Sequence, residues 1–277
     1  MPEPIIIRED EFLSIRPVDS GLAHGYGLFE TIAVKEGRLF FWKPHWDRLN
    51  ASAKVFGLEC VFSEAEVLRA IGQLLRHARP DSVMLKLSLL KQGNETRLYL
   101  YTRAPMLWPK RARLLWSAEY PLPKSAVLAG HKTHNYMENA YLLEEARRDG
   151  YDDCLRPACC GSIAETTCAN LFWLKEDILY TPSTDLGILP GVTRAALLQQ
   201  AVQCGITLRE GAFTPAELKN AEAVFMTNSS VGLLPVASID GEGFNQHYDS
   251  ANPLLLSQLA QAFEQEQDLT ALEIFTK

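Results

Sequence analysis

Little in this 277-residue chain points toward a membrane, a nucleic acid or a metal. No apolar run approaches the roughly 20 residues that a bilayer-crossing helix needs, so no membrane partner is expected. Positive charge is in the minority, with 27 lysines and arginines against 34 aspartates and glutamates. A formal net charge of −7 excludes wholesale binding to nucleic acid or an anionic lipid surface. The start of the chain shows no basic stretch leading into an apolar segment and a cleavage site. No secretory signal is read there, and a cytoplasmic location is the expectation. The six cysteines, at positions 60, 154, 159, 160, 168 and 204, form no C-x-x-C pair. Adjacent Cys159 and Cys160 are poorly placed to chelate one ion, and buried reduced thiols are expected instead. His131 and His134 have a spacing that could serve a metal, but no third ligand stands near, so no metal centre is expected. Internal repeats and low-complexity segments are missing as well.

What is present reads as a globular α/β (α+β) protein of two domains, since the chain exceeds the length of one typical domain. Hydrophobic residues make up 47% and charged residues 22%, an ordinary balance. Leu28–Val34 has strand character, Lys35–Arg38 turns, and Leu39–Trp42 returns as a hairpin. Pro44 opens an amphipathic helix with Trp46, Leu49, Ala53 and Phe56 on one face, stopping at Gly57. Ser63 and Glu66 have capping-box spacing and start a second helix that runs to about His77. Val83–Leu90, Arg97–Tyr101 and Arg113–Trp116 read as strands. Residues 1–118 are therefore expected to form a small α+β domain and 119–131 a linker containing Pro121, Pro123, Ser125 and Gly130. Residues 132–277 form the larger α/β domain, with a helix from Asn135 to Arg148 and short strands around Cys154 and over Leu171–Leu174. A helix from Thr193 to Cys204 follows. Thr214 and Pro215 then cap a short helix, Val224–Thr227 is a buried strand, and Asp240-Gly241 turns the next pair.

Three segments of the second half carry chemistry. Lys132 would be read as a surface lysine if it stood alone. It follows a glycine-containing linker and precedes a helix, where a partly desolvated amine can attack an aldehyde. Glu165, read alone, is an exposed loop carboxylate, yet such a group can also keep a pyridine nitrogen protonated. Gly191-Val192-Thr193-Arg194 opens a helix with few charges, and its N–H groups with the Thr193 hydroxyl suit a phosphate. Simple N-capping by Thr193 is the plainer alternative. An amine, a carboxylate and a phosphate cradle are what pyridoxal 5'-phosphate (PLP) requires. Arg48 could add a cation for the phosphate, or else pair with Asp47 or Glu36. Gly21, Gly25 and Gly27 precede a strand, the reverse of a dinucleotide fingerprint. They more plainly let the backbone pass close to another segment.

From Asp19 to Val236 these segments together resemble the fold-type IV PLP enzymes: branched-chain aminotransferases, D-amino acid aminotransferases and 4-amino-4-deoxychorismate lyases. Asp19 through Thr31 is similar to the family's D-x-G-x-x-x-G-x-G-x-F/Y-E segment, and His45-Trp46-Asp47-Arg48-Leu49 to its H-x-x-R-L. Lys132-Thr133-His134-Asn135-Tyr136 resembles the Schiff-base lysine segment. Glu165 through Asn170 resembles its E-G-x-x-x-N, and Leu189 through Arg194 its L-x-G-[IV]-T-R. The resemblance implies a two-domain fold with PLP held between the domains, in a homodimer. It implies that Lys132 forms the aldimine and shuttles the Cα proton, and that Glu165 meets the pyridine nitrogen. Arg48, Val192, Thr193 and Ser229 would hold the phosphate, with Tyr136 and Asn228 also lining the cofactor. Thr166 replaces the usual glycine, and Cys168 a position often held by serine. Phe29 stands where the D-amino acid enzymes carry a substrate tyrosine. Leu89 through Asn94 lacks their arginine and histidine carboxylate trap.

Asn228-Ser229-Ser230-Val231-Gly232-Leu233-Leu234-Pro235-Val236 is similar to the N-S-x-x-G-x-x-P-V run of the lyases, which favours release of pyruvate and 4-aminobenzoate on the path to folate. An amino acid transaminase is the alternative, and a non-catalytic PLP-binding protein a third reading. The substrate would then be a small amino acid-like dicarboxylate, with Phe29, Lys91, Arg97 and Arg103 as candidates to meet it.

Overall fold

The computed structural model describes residues 4–7, 18–78, 82–248 and 254–274. The chain divides into two compact units. One comprises Met1–Met106, His131–Tyr136 and Gln267–Lys277; the other comprises Leu107–Gly130 and Met137–Glu266.

The first unit contains β1 (Ile5–Ile6), α1 (Ser20–Ala23), β2 (Gly27–Lys35), β3 (Arg38–Leu39), α2 (Trp42–Val55), α3 (Glu64–Ala78), β4 (Ser82–Gln92) and β5 (Glu95–Arg103). β2, β4 and β5 pair antiparallel, and β1 adds parallel to β5. Because side chains alternate across a pleated strand, each strand has two different faces. Leu28, Ile32, Val34, Leu85, Leu87, Leu89, Leu98 and Leu100 point to one face, where they form a core with Trp46 and Leu49 of α2 and Val67, Ile71 and Leu74 of α3. The opposite face carries Phe29, Thr31, Lys86 and Ser88, paired Phe29 with Ser88 and Thr31 with Lys86. The hairpin return is shorter than the sequence pattern predicts. Phe41 adopts a left-handed conformation (φ 53°) and the helix begins at Trp42, so Pro44 is its third residue. The capping box forms as expected: the Ser63 N–H donates to Glu66 Oε2 at 2.8 Å, and the Glu66 N–H to Ser63 Oγ at 3.3 Å. The glycines of the entry segment do let backbone pass closely. A Cβ on Gly27 would stand 2.8 Å from the Leu89 carbonyl oxygen, and one on Gly21 2.8 Å from that of Lys91.

The second unit contains β6 (Ala112–Trp116), α4 (Met137–Arg148), β7 (Asp153–Pro157), β8 (Ile163–Thr166), β9 (Asn170–Lys175), β10 (Ile178–Pro182), α5 (Val192–Gln203), β11 (Thr207–Gly211), α6 (Ala216–Lys219), β12 (Ala223–Asn228), β13 (Gly232–Gly241), β14 (Phe244–His247) and α7 (Leu254–Leu269). The order β9-β12-β13-β6-β7-β8 returns to β9 through a single pair, Glu165 opposite Asn170. The six strands thus form a closed ring, which leaves no sheet edge among them. Leu114, Leu155, Ile163, Leu171, Trp173, Val224, Met226 and Val236 supply its core. Alternate residues of β9 and β12 turn away from that core, and Phe172 stacks on Phe225 at 5.3 Å. Finally β15 (Leu272–Glu273) pairs with β3 in the first unit.

Several boundaries differ from expectation. β6, expected beside the N-terminal strands, runs parallel to β7 and β13 in the second unit's sheet. α4 begins at Met137 because the preceding residues are extended. Pro215 is the N-cap of α6, with no side-chain cap from Thr214. The turn expected at Asp240-Gly241 falls two residues later, at Glu242-Gly243, since β13 and β14 pair through Gly241 and Phe244. Of the six free cysteines only Cys154 is buried; Cys159, Cys160 and Cys204 are exposed. Among the described residues no helix is long and apolar enough to cross a membrane.

Candidate active site

The residues singled out from the sequence fall into two groups, one in each unit. In the first unit the segment His131–Tyr136 lies extended along the start of β2. The Phe29 N–H donates to the Lys132 carbonyl at 2.9 Å, and the His134 N–H to the Gly27 carbonyl at 2.9 Å. His131 Nδ1 lies 2.9 Å from Ser52 Oγ, tying the segment to α2. These bonds fix the backbone of Lys132. Its Nζ lies 4.6 Å from the centre of the Phe29 ring and 5.7 Å from that of Tyr136, with Phe29 and Tyr136 packed edge to face.

A second lysine shares that ring. Lys86 Nζ sits 3.9 Å from the Phe29 centroid, within cation–π range, and donates to Thr31 Oγ1 at 2.8 Å. Burial pushes its pKa down to about 7, helped by the positive charges of Lys132 and Arg103. Sequence reading missed Lys86, although its place two residues from Ser88 on a strand with apolar odd positions was a usable signal. Strand parity also accounts for Lys91 and Arg97. Lys91 is odd on β4, like core residues Leu85, Leu87 and Leu89, and so belongs to the other face. Arg97 shares the face of Lys86 but pairs with Leu90 rather than beside Lys86, about 13 Å along the strand. Its guanidinium is held by Glu95. Arg103 is closer, opposite Met84.

On the other face of β2, Glu30 is only 1% exposed. It accepts from Arg48 Nε at 2.8 Å, from Arg48 Nη2 at 2.6 Å and from His45 at 2.7 Å. Burial alone would raise the Glu30 pKa, but Arg48 and His45 together bring it down to about 2. Burial lowers the pKa of His45 despite Glu30. His45 is therefore a neutral ring donating its Nδ1–H, and the ion pair proper is Glu30 with Arg48. The partner shown for Arg48 is thus buried Glu30, where a surface role had offered Asp47 or Glu36. His134 is likewise kept neutral: burial first, then Lys86, drives its pKa to about 4.

The second group is built around a carboxylate and a helix start. Glu165 accepts from the amide of Asn170 at 2.9 Å and from the Leu189 N–H at 3.1 and 3.2 Å. Gly191 is the N-cap of α5 and supplies no side-chain cap, so Thr193 is the second residue inside the helix and not its cap. The first N–H groups of this 12-residue helix are left to another acceptor. Val192 and Thr193 are buried there. Across β9 and β12, Asn170 stands opposite Thr227, whose hydroxyl is buried with no hydrogen-bond partner, as is that of Ser230. The Asn228 side-chain oxygen is spent on its own turn, accepting from the N–H groups of Ser230 and Val231 at 2.9 and 3.1 Å. Ser229, half-buried, lies in the same turn. Orphaned hydroxyls, an uncapped helix start and a carboxylate oriented by an amide and a peptide N–H fit the demands of a phosphate and a pyridine nitrogen.

Comparison with known proteins agrees with this chemistry. The family model described as amino-transferase class IV matches residues 27–239. The chain is 28% identical over 260 residues to the aminodeoxychorismate lyase of Bacillus subtilis, covering 89% of each chain. It is 28% identical over 239 residues to the D-alanine aminotransferase of Bacillus licheniformis, covering 81% of this chain and 82% of that one. A solved structure from Legionella pneumophila, described as a "Putative 4-amino-4-deoxychorismate lyase", superposes with a TM-score of 0.87 at 29% identity, covering 96% of this chain and all of the other.

Proposed function

The chain belongs to the class IV aminotransferases, a PLP-dependent enzyme family, and on that premise we propose that it is a 4-amino-4-deoxychorismate lyase. The observation that carries this reading within the family is Lys86. Among the described residues this cation has a hydroxyl and a ring beside it but no carboxylate in salt-bridge range. A half-buried amine with no carboxylate within hydrogen-bond range favours an anionic ligand, which would hold it in its charged form. The substrate of the proposed reaction carries two carboxylates, and Lys86, with Arg103 nearby, is suited to hold one of them.

PLP, when its aldehyde is joined to the substrate amine, would draw electrons from the carbon that bears that amine. In this reading Lys132 would hold the aldehyde in the resting enzyme and, once free, would move the proton at Cα. The Phe29 and Tyr136 rings restrict where its Nζ can go. Glu165 keeps the pyridine nitrogen protonated. Arg48, the N–H groups of Val192 and Thr193, and the Ser229 hydroxyl hold the phosphate, while Asn228 shapes the turn that presents Ser229. Loss of pyruvate leaves 4-aminobenzoate, and aromatisation drives the step. The proposal extends to a cytoplasmic homodimer acting on the path to folate. The exposed side chains of Leu22, Tyr26 and Val55 support an association surface: the Tyr26 hydroxyl donates to the carbonyl of Phe56, the residue after Val55.

The relative named as a D-alanine aminotransferase keeps a transaminase as the second reading. Supplying aminodeoxychorismate to the PLP-loaded protein and following pyruvate and 4-aminobenzoate decides between them. Both products in equal amounts are expected, with turnover lost in Lys132→Ala. No product, together with conversion of the cofactor to its amine form by leucine or D-alanine, would replace the lyase by the transaminase.

A further inference from the structure

We propose that Asn170 is a positioning residue that couples the two ends of the cofactor site, holding the Glu165 carboxylate with its amide nitrogen and the start of α5 against its amide oxygen. The inference rests on the PLP reading above and deepens it.

Asn170 is 3% exposed and occupies the one register position where β8 meets β9. Its NH2 group has two hydrogens and both are used, on Glu165 Oε2 at 2.9 Å and on the Leu189 carbonyl at 2.9 Å. The Leu189 N–H in turn donates to both oxygens of Glu165. Carboxylate, amide and peptide group therefore form a closed cycle of hydrogen bonds, and Glu165 cannot swing without breaking two of its members. Two residues beyond Leu189 lies Gly191, the N-cap of α5. Its Cα is so close to Asn170 that a Cβ there would stand 2.1 Å from the side-chain oxygen. One side chain thus spaces the carboxylate from the uncapped helix start.

The residue type matters. An arginine or lysine at 170 would neutralise Glu165 and leave less negative charge for a ring nitrogen. A neutral amide orients the carboxylate and preserves its charge. An aspartate would set a second carboxylate against Glu165 and against the Leu189 carbonyl.

The test is titration of the apoprotein with PLP and with its 1-deaza analogue, which keeps the aldehyde and the phosphate but has carbon in place of the ring nitrogen. Asn170→Ala is expected to weaken PLP binding roughly 10- to 100-fold, the range for hydrogen bonds to a charged group, and to weaken the analogue distinctly less. Gly191→Ala, which leaves every polar group in place, is expected to weaken both compounds. Combined with Asn170→Ala it should add little, because the atom it strikes has gone. Equal losses for PLP and analogue in Asn170→Ala would remove the link to Glu165, and additive effects of the two substitutions would remove the link to α5. PLP uptake by Asn170→Ala equal to the wild type would overturn this inference alone. A wild-type apoprotein that takes up no PLP would overturn it together with the proposed function.

Discussion

The two groups of candidate residues are built on opposite physical plans. In the first unit, titratable side chains crowd together, and under burial and neighbouring charges Lys86, Glu30 and His134 titrate far from their ordinary values. In the second, the Glu165 carboxylate accepts from the Asn170 amide and the Leu189 N–H, and the hydroxyls of Thr227 and Ser230 are left unpaired. Buried charges respond to pH and to the loss of a partner, whereas neutral donors respond to displacement. The proposed function gives proton handling to the first plan and recognition of a rigid, charged cofactor to the second. Each substitution below breaks one plan and should leave the signature of the other intact.

The largest effect is expected from Glu30→Gln. The wild-type carboxylate compensates Arg48 inside the fold, and its removal leaves a partly buried guanidinium with a weaker acceptor. Breaking such a pair costs about 2–4 kcal/mol of stability, below the usual range for a fully buried pair because Arg48 retains some exposure. A carboxylate held near pH 2 in the fold and near 4.5 when unfolded stabilises the native state fully above about 4.5. That contribution falls away as the pH drops toward 2. Urea unfolding at pH 7 should show the loss, and between pH 4.5 and 2 the variant should lose less stability than the wild type. A variant as stable as the wild type at pH 7 would show that the cluster is no more than a surface-like ion pair.

Lys86→Met comes next and acts on substrate rather than on folding. The lysine is charged below about pH 7 and neutral above it, so kcat/KM for a dianionic substrate should decline on the alkaline side of about 7. Lys86→Met should raise KM roughly tenfold or more at pH 6, the loss expected when a charge-assisted contact is removed, and abolish that alkaline decline. Lys86→Arg, whose charge persists, should restore affinity and also flatten the profile. An unchanged KM in Lys86→Met would take the substrate carboxylate away from this face.

How much of this the sequence carried depends on distance along the chain. Local signals did well. The Ser63–Glu66 capping box, Gly57 as a helix stop and Gly191 ahead of α5 all depend on residues within a turn of each other, and the fold has them. The motifs around Arg48, Lys132 and Glu165 were legible for a different reason, as runs that resemble a family. What escaped was set by pairing between distant strands. Lys86 is one lysine among many until β4 is laid beside β2 and the parity of Phe29 and Thr31 is known. Without that register Lys91 and Arg97 stood as candidates while Lys86 was passed over. β6 was placed with the N-terminal strands because it follows them in sequence, yet its parallel partners lie some 40 and 120 residues further on. Asn170 could be read as a motif position, but its function as a spacer becomes visible only when β8 closes on β9.

The smallest effect should come from the second plan. Thr193 is 4% exposed in the first turn of α5, and valine has nearly its shape, so Thr193→Val removes a hydroxyl while leaving the peptide N–H groups where they are. If that hydroxyl meets the phosphate, the apoprotein should bind PLP about 3- to 10-fold more weakly, the worth of one hydrogen bond. Urea stability at pH 7 and the alkaline profile of kcat/KM should both superimpose on the wild type, because no ionisable group near Lys132 has been touched. A shifted pH profile would mean that the two plans are electrically coupled after all. Unchanged PLP affinity would assign the phosphate to the backbone of α5 alone, which is the purer form of a site made from neutral, fixed donors.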